Sequence, residues 1–445
     1  MATHPPGPKG LPVVGSTHHY ARDPFRFIEA VRDAYGDAAR FTLGPRETYL
    51  LTNPGDVERV LVREEGSFRK PDFQTDALGE LLGEGLLLSE GNAWRRMREL
   101  SQPAFDMRRL AGMGSMMVER TERAIEDWAE DDCRDVELET ARLTVGIIVE
   151  AMFGTDLGED RTRRVQENLE PLGRRFEPDP LRFLMPEWLP TRERSSYRAS
   201  IRALEGVLDE IVRERRTDPE GNDLLSILLR AERSGAIPEE RVRDELMTML
   251  LAGHDTTALS LTYTWYLLSE NPDAERRFHE ELDAVLGDGP PTVADARTLE
   301  YTGRVLTEAM RLYPPVYTLF RESVEPVELA GYELPAGSLF MLPQWGVHRD
   351  PRWYDEPERF DPDRWLPERA AERPRFAYFP FGGGSRSCIG RQFSLLEATL
   401  ILGTVGRNYR LERVDEGPLD LRASLTMHPA NGMEMRVRER GDADG

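Results

Sequence analysis

The chain has 445 residues, of which 58 are basic and 80 acidic, so its formal net charge is -22. A surface of this sign repels phosphate backbones and anionic membranes, and we expect no nucleic-acid partner. Lys9 and Lys70 are the only lysines, which excludes a GxxxxGK[ST] phosphate-binding loop.

The two cysteines, Cys133 and Cys388, can build neither a disulfide framework nor a four-cysteine zinc site. This indicates a reducing, cytoplasmic setting, and the acidic, arginine-rich composition raises the hypothesis of a halophilic, high-salt cytoplasm. The N-terminal "MATHPPGPKGLPVVGS" has no apolar core of the length that a signal peptide or membrane anchor requires. No linker or repeat is visible, so we expect one domain over residues 1–445, with a proline-rich arm (1–20) and a flexible tail (435–445).

In chain order, the first predicted element is an amphipathic helix from Phe25 to Tyr35. The segments "ARFTLG" and "TYLLTN" then predict a β-hairpin. Residues 55–315 are mainly helical in pattern, whereas "VELAGYELPAGSLFMLP" and the segment from "NYRLERV" onward alternate like strands. We therefore predict a mainly α protein with small β-sheets towards both ends of the chain.

The most apolar segment is "LMTMLLAGHDTTALSLTYTWYLL", residues 246–268, which is long enough to span a bilayer. His254 and Asp255 lie at its centre, and a carboxylate at mid-bilayer costs at least a few kcal/mol. The segment therefore predicts a long central helix in the core of a soluble protein.

The second cysteine lies in "FPFGGGSRSCIGRQF", where glycines and serines precede a helical pattern from Phe393 to Leu402. Cys388 is thus predicted at a helix start, where free N–H groups and the helix dipole favour a thiolate. A thiolate there is a nucleophile or a metal ligand, and a small buried cysteine in a glycine turn is the structural alternative. Gly384 and Gly390 would let the backbone approach a flat group.

For Cys133, in the acidic run "EDDCRD", we expect only the structural role of a small buried cysteine.

The order F-x-x-G-x-R-x-C-x-G, filled by Phe381, Gly384, Arg386, Cys388 and Gly390, resembles the haem-binding signature of the cytochrome P-450 family. The resemblance runs from "PPGPKGLPVVG" to the last strands. It implies the cytochrome P-450 fold, with haem b between the long central helix and the helix after the cysteine loop. Cys388 would be the axial thiolate ligand of the iron, and Phe381, Arg386 and Gly390 would contact the cofactor.

Two further motifs agree with the resemblance. In "AGHDTT", Asp255 and Thr256 match the family's oxygen-activating groove, where an acid beside a hydroxyl can relay protons. In "EAMR", Glu308 and Arg311 share one helix face, and the resemblance implies that they join Arg359 of "PERF" to hold the cysteine loop. Without the resemblance, a buried hydrogen-bonded pair and a surface ion pair are the alternatives.

The segment "GNAWRRMRELSQPAF" resembles the family's helix at the haem edge, so Trp94 and Arg98 are expected to face the haem propionates. Arg321, in "LFRESVEP", matches another propionate-binding arginine. The alternatives are a core aromatic residue for Trp94 and surface charges for the two arginines. A dianionic haem edge in an acidic protein needs such local cations.

The resemblance implies a monooxygenase that inserts one atom of dioxygen into an apolar substrate, by hydroxylation or epoxidation, while the other atom leaves as water. Electrons would come from a separate ferredoxin or flavodoxin, docked near Arg95, Arg96 and Arg108, and we expect a monomer. The substrate, a fatty acid, terpenoid or sterol-like molecule, would contact a distal pocket lined by residues 73–88, the helix near Ala252, residues 316–320 with Val316, Tyr317 and Thr318, and residues 425–427 with Leu425. A peroxide-using peroxygenase or isomerase, and a non-catalytic haem sensor or carrier, remain open.

Overall fold

The computed structural model of the protein describes residues 4–12, 14–178, 191–217 and 221–440. The helices of this part of the chain are α1 (Thr17–Arg22), α2 (Pro24–Tyr35), α3 (Pro54–Glu58), α4 (Asp72–Leu82), α5 (Gly91–Ser101), α6 (Met107–Ala111), α7 (Gly114–Ala124), α8 (Val136–Phe153), α9 (Gly158–Arg174), α10 (Arg192–Arg216), α11 (Leu224–Arg233), α12 (Glu239–Ser269), α13 (Pro272–Leu286), α14 (Glu300–Leu312), α15 (Gln344–His348), α16 (Pro367–Ala370) and α17 (Arg391–Asn408). The strands are β1 (Ala38–Leu43), β2 (Arg46–Leu51), β3 (Phe68–Arg69), β4 (Cys133–Asp135), β5 (Leu319–Ser323), β6 (Val327–Leu329), β7 (Tyr332–Leu334), β8 (Leu339–Leu342), β9 (Tyr409–Arg413), β10 (Leu421–Ala423), β11 (Met427–Pro429) and β12 (Glu434–Glu439). The predicted mainly α architecture with small sheets is confirmed.

The largest sheet has the strand order β1-β2-β8-β5-β3. The predicted hairpin is its antiparallel β1–β2 pair, in which Ala38 faces Leu51. The predicted first helix is α2, whose Asp23 cap accepts a hydrogen bond from Arg26 N, which satisfies one of the free N–H groups of the first turn. Both elements therefore form where the local pattern places them.

A second sheet, with the order β4-β12-β9, brings the end of the described chain back to the helical core. Its middle strand β12 pairs with β9 from Met435 to Glu439, so the predicted flexible tail is wrong for residues 435–439. Residues 441–445 of that predicted tail lie outside the described part of the chain. Cys133 lies on β4 and is exposed, not buried as expected.

The core is organised around α12, which contacts α4, α8, α10, α11, α13, α14 and α17. Its closest approach to α8 is at Gly253, where an added Cβ would lie 2.7 Å from Ile148 Cγ1. Almost every residue from Thr257 to Leu268 is buried. The predicted central helix is thus confirmed, and among the described residues none of the helices has the length and apolar character needed to cross a membrane.

Candidate active site

The cysteine loop ends at the start of α17, as predicted, and Cys388 N donates a 3.0 Å hydrogen bond to Phe381 O. Gly384 has φ +67, and a Cβ there would lie 2.1 Å from Leu61 O. Gly390 has an ordinary φ of -85, and its added Cβ would meet Phe105 at 3.7 Å. Gly384 therefore accommodates the protein's own backbone, and the expectation that Gly390 lets a flat group approach stays a prediction.

The Cys388 thiol has accessible surface, although it lies deep inside the fold. Burial raises the pKa of Cys388, while the N–H groups of Gly390 and Arg391 and the Arg98 charge oppose that rise. The expectation that the helix start alone favours a thiolate is thus only partly right, since desolvation outweighs it. A cation at the sulfur, such as a metal ion, would reverse this balance.

A group of half-buried cations lies beside the loop. Arg386 donates to Ser89 O at 2.7 Å and forms an ion pair with Glu90, and Lys70 donates to Leu87 O. Burial, together with the Arg386 and Arg321 charges, lowers the pKa of Lys70 to about 7, and burial lowers that of Arg321 to about 10. Desolvation is the larger cause of both shifts, and the neighbouring cations add to it.

The helix α5 supplies the two side chains that the sequence predicted at this edge. Trp94 is buried, and the Arg386 guanidinium carbon lies 4.1 Å from its ring centroid. Arg98 Nη1 donates to Ser387 O at 3.0 Å, so this arginine holds the residue before Cys388. Burial lowers the pKa of Arg98, and the adjacent Cys388 opposes this. The structure therefore joins Trp94, Arg98 and the cysteine loop into one unit.

The central helix α12 has one accessible face, at Ala252, between faces that are packed in the core. Ala252 is exposed in mid-helix, whereas His254 and Thr257 are buried. Thr256 Oγ1 donates to Ala252 O at 3.1 Å, and Thr257 Oγ1 lies 3.0 Å from Ser394 Oγ of α17. The Thr257 contact fixes α12 against the helix that begins after Cys388.

The carboxylate of Asp255 is turned away from its neighbour Thr256. Its Oδ2 accepts a 2.5 Å hydrogen bond from Thr426 Oγ1 and lies 3.6 Å from His428 Nε2. The predicted acid and hydroxyl are therefore adjacent in sequence without a direct bond between their side chains. Asp255 belongs instead to a polar group at the β10–β11 turn.

The predicted ion pair Glu308–Arg311 is confirmed as a contact, and both side chains are 0 % exposed, which excludes a surface pair. Arg359 does not join it as predicted: its side chain is 65 % exposed and pairs with Glu356. Only its carbonyl oxygen takes part, accepting from Arg311 Nη2 at 3.2 Å. The arginine that enters the cluster is Arg364, whose Nε lies 3.1 Å from Glu308 Oε1.

This correction has a signal in the sequence. The pattern proline, acid, arginine, aromatic occurs twice, as "PERF" at 357–360 and "PDRW" at 362–365. In the second copy Trp365 Nε1 also donates to Glu308 Oε2 at 2.9 Å. The arginine of the first copy remains at the surface, which the pattern alone could not decide.

The residues predicted to line the substrate pocket differ in burial and in their contacts. Tyr317 is buried in a core cluster with Phe25 and Trp345, and its hydroxyl lies 3.3 Å from Tyr20 Oη. Thr318 is buried, and its hydroxyl donates to Leu342 O at 3.4 Å. Val316 is half-buried, and Leu425 is 41 % exposed. Their contact with a substrate therefore remains a prediction.

Several functional candidates were not found from the sequence: Lys70, Glu137, Arg364, Glu397 and His428. Thr426 was predicted only as part of the pocket segment 425–427. Lys70 had a signal, since it is one of two lysines in the chain. Glu397 is fully buried on α17, and burial raises its pKa well above the usual range, although the nearby Thr257 hydroxyl opposes this rise. The remaining candidates can be recognised only from contacts between segments that are distant in sequence.

Together these residues fit a haem group. The donor set offers one thiol with access to an interior space, an accessible helix face at Ala252, and cations that outnumber nearby carboxylates. A thiolate suits iron, and two propionates would balance the charge of Lys70, Arg321 and Arg386. Nothing in this group of residues conflicts with such a cofactor.

Comparison with known proteins adds the family relationship. A family model described as "Cytochrome P450" matches residues 5–433. Cyclooctatin synthase of Streptomyces melanosporofaciens is 36% identical, over 92% of this chain and 90% of the relative. Cyclooctat-9-en-7-ol 5-monooxygenase of the same organism is 34% identical, over 92% of this chain and 89% of the relative. Pentalenene oxygenase of Streptomyces avermitilis is 31% identical, over 97% of this chain and 97% of the relative. The crystal structure of the cytochrome P450DA heme domain superposes with a TM-score of 0.88 at 28% identity, over 98% of both chains.

Proposed function

The chain belongs to the cytochrome P450 family of haem-thiolate monooxygenases, and from this premise we propose that it hydroxylates a cyclic terpenoid. The oxidoreductase class, the haem cofactor with an axial cysteine thiolate and an apolar organic substrate follow from the family. The narrower substrate class rests on two relatives whose names specify oxygenation of cyclooctat-9-en-7-ol and of pentalenene. A mainly apolar ligand would also suit Val316 and Leu425.

The observation that carries the proposal is the position of Cys388. Its thiol precedes the start of α17, next to Arg98, and is accessible although its surroundings desolvate it. When bound, a haem iron with an axial thiolate supplies the activation of dioxygen for oxygen insertion into a C–H bond. We assign the axial ligand to Cys388, and contacts at the haem edge to Trp94, Arg98, Arg321 and Arg386, to which Lys70 is added. Phe381 and Gly390 would line the loop beside the cofactor.

On the opposite side, α12 would form the wall of the dioxygen and substrate site. Ala252 leaves room there because its side chain is a single methyl group, and the Thr256 hydroxyl bonds back to its carbonyl oxygen. The hydroxyl can reorient to accept or donate a proton, and Asp255 can hold one at Oδ2. These two residues are the proposed proton donors of the reaction.

Electrons would reach the site from a separate ferredoxin or flavodoxin. Support comes from exposed positive charge at the cysteine side of the fold, on Arg95, Arg96 and Arg108, which an acidic carrier could contact. We further propose one haem domain, acting as a cytoplasmic monomer.

The test starts from the reduced, carbon monoxide-bound protein. We expect the red-shifted band of a thiolate-ligated haem, which Cys388→Ser should abolish, whereas the exposed Cys133→Ser should leave it unchanged. A panel of cyclic terpenoids, fatty acids and sterols, screened for displacement of the iron's water, then tests the substrate class. Terpenoid binding followed by product with reduced ferredoxin would support the proposal. Turnover with peroxide only, or tighter binding of another lipid class, would contradict it.

A further inference from the structure

Asp255 is the inner end of a continuous hydrogen-bonded chain of side chains. Thr426 Oγ1 contacts both Asp255 Oδ2, at 2.5 Å, and His428 Nε2, at 2.9 Å. On its other side, His428 Nδ1 lies 2.8 Å from Glu137 Oε1. The chain therefore runs from α12 through Thr426, the last residue of the β10–β11 turn, and His428 of β11 to the first turn of α8.

The titratable members of the chain are all partly accessible, and the hydroxyl between two of them is buried. The side chains of Glu137, His428 and Asp255 are 19 %, 16 % and 24 % exposed, while Thr426 is buried. No other hydroxyl of the β10–β11 turn reaches both partners, since Ser424 Oγ donates to Gly173 O. A proton that enters at the imidazole can thus reach Asp255 through a single intervening hydroxyl.

The charges around His428 are mixed. Two carboxylates face it, Glu137 from α8 and Asp255 from α12, and Arg422 of β10 is the nearby cation. Arg422 forms a 2.8 Å ion pair with Glu177, which partly neutralises it. The remaining titratable neighbours on α12 are His254, whose pKa burial lowers, and Tyr263, whose hydroxyl donates to Met427 O.

We propose that His428 is a positioning residue for the monooxygenase reaction, which recharges Asp255 with protons through the Thr426 hydroxyl. In each transfer, the proton on imidazolium Nε2 moves to Thr426 Oγ1 as the hydroxyl proton of Thr426 moves to Asp255 Oδ2. The neutral ring, whose side chain is 16 % exposed, then regains a proton at Nε2 from a hydronium ion of the solvent, while the Nδ1 proton stays hydrogen-bonded to Glu137. The net change is one proton moved from solvent to Asp255, with no change in electrons. This role rests on the proposed function of Asp255.

The electrostatics favour a charged imidazole at near-neutral pH. Burial lowers the pKa of His428, but Asp255 and Glu137 outweigh it, and the net pKa is raised above its ordinary value of 6.5. His428 therefore carries its proton below that raised value and loses it as the pH increases through it. Proton delivery to Asp255 should weaken on the alkaline side of this transition.

The experiment compares His428→Gln and Thr426→Val with the wild-type holoenzyme. Gln keeps a hydrogen-bonding side chain that cannot titrate, and Val keeps the shape of Thr without its hydroxyl. We expect product formed per electron pair consumed to fall by at least about tenfold, because proton transfer by a positioned group contributes roughly 10²–10⁴-fold in rate. In His428→Gln the alkaline limb of the pH profile should also disappear. His19→Gln, at an exposed histidine on α1, is the matched control.

A second readout does not depend on turnover. The chain has seven histidines, so the His428 resonance can be assigned in the ferrous, carbon monoxide-bound protein by its absence from His428→Gln. We expect an imidazole pKa above 6.5 that falls in Glu137→Gln. An ordinary or lowered pKa of His428 would overturn the relay alone. So would an unchanged amount of product per electron pair in His428→Gln, provided that the variant retains the thiolate-type spectrum. Loss of that spectrum in the wild-type protein would instead overturn the haem assignment.

Discussion

Arg364 and Glu308 form a buried ion pair that joins α14 to the segment preceding the cysteine loop, with Arg364 Nε 3.1 Å from Glu308 Oε1. Glu308 is fully buried and also binds Arg311 Nε, Asp361 N and Trp365 Nε1. One carboxylate thus fixes side-chain and backbone groups from two segments. Its full set of partners explains how a charge can remain stable without contact with water.

The first prediction compares the contributions of Arg364 and Arg359 to stability. Arg364→Leu should lower the free energy of unfolding by about 3 kcal/mol, because it removes a buried partner from an ionised carboxylate. Arg359→Ala should change it by less than about 0.5 kcal/mol, since surface positions contribute little. Denaturant unfolding followed by haem absorbance measures both. Similar losses in the two variants would mean that Arg359 supports the cluster after all.

The second prediction concerns Lys70 and haem retention. Lys70→Met should speed haem transfer to a scavenging apoprotein by roughly tenfold, because a hydrogen bond to a charged group contributes about 1.5 kcal/mol or more. Lys70→Arg, which keeps the charge, should retain haem nearly as well as the wild type. Burial, and after it the nearby Arg386 and Arg321 charges, lowers the Lys70 pKa, so an anion placed among these cations should be held strongly. Equal transfer rates in all three proteins would exclude Lys70 from the haem edge.

The third prediction is a pH dependence of stability. Burial raises the pKa of Glu245, whose Oε2 accepts from Leu86 N at 3.1 Å, to about 7, against an ordinary 4.5. Between these values the folded state holds a proton that the unfolded chain has released, so the free energy of unfolding decreases as pH rises. Glu245→Gln should reduce this decrease.

Part of that slope should remain, because burial also raises the pKa of Glu275 to about 7. The matched control is Glu240→Gln, at an exposed position in the first turn of the same helix, which should leave the slope unchanged. Chemical denaturation at a series of pH values from 4.5 to 7 measures the effect. An unchanged slope in Glu245→Gln would show that this carboxyl is ionised in the folded protein.

The fourth prediction tests the surface proposed for the electron donor. Replacing Arg95 and Arg96 by Glu should slow reduction by a ferredoxin by roughly tenfold at low salt, because electrostatic steering raises association rates by 10–10³-fold. The carbon monoxide spectrum should not change, since both side chains are exposed. Arg163→Glu, on α9 with a side chain 66 % exposed, is the control. Equal reduction rates would place the docking site elsewhere.

Local patterns predicted much of the architecture. The helix over Phe25–Tyr35, the first hairpin, the central helix and the helix after Cys388 all formed near their predicted positions. The tail was the exception: β12 pairs with β4 and β9, which lie far from it in sequence. Strand pairing depends on such partners, whereas the apolar face of a helix is visible in a single segment.

The sequence by itself determined which residue types were available: one cysteine in a glycine-rich loop before a helix, an acid beside a hydroxyl in an apolar helix, and a Glu–Arg pair at helical spacing. Only the tertiary structure decided which partners each of them has. It buried Arg364 and left Arg359 exposed, placed Tyr317 in the core, and turned Asp255 towards Thr426 and His428. The physical reason is that the spacing of residues along the chain fixes the relative direction of their side chains only within one helix or strand. Burial, pKa and hydrogen bonding depend on atoms that folding brings from distant segments.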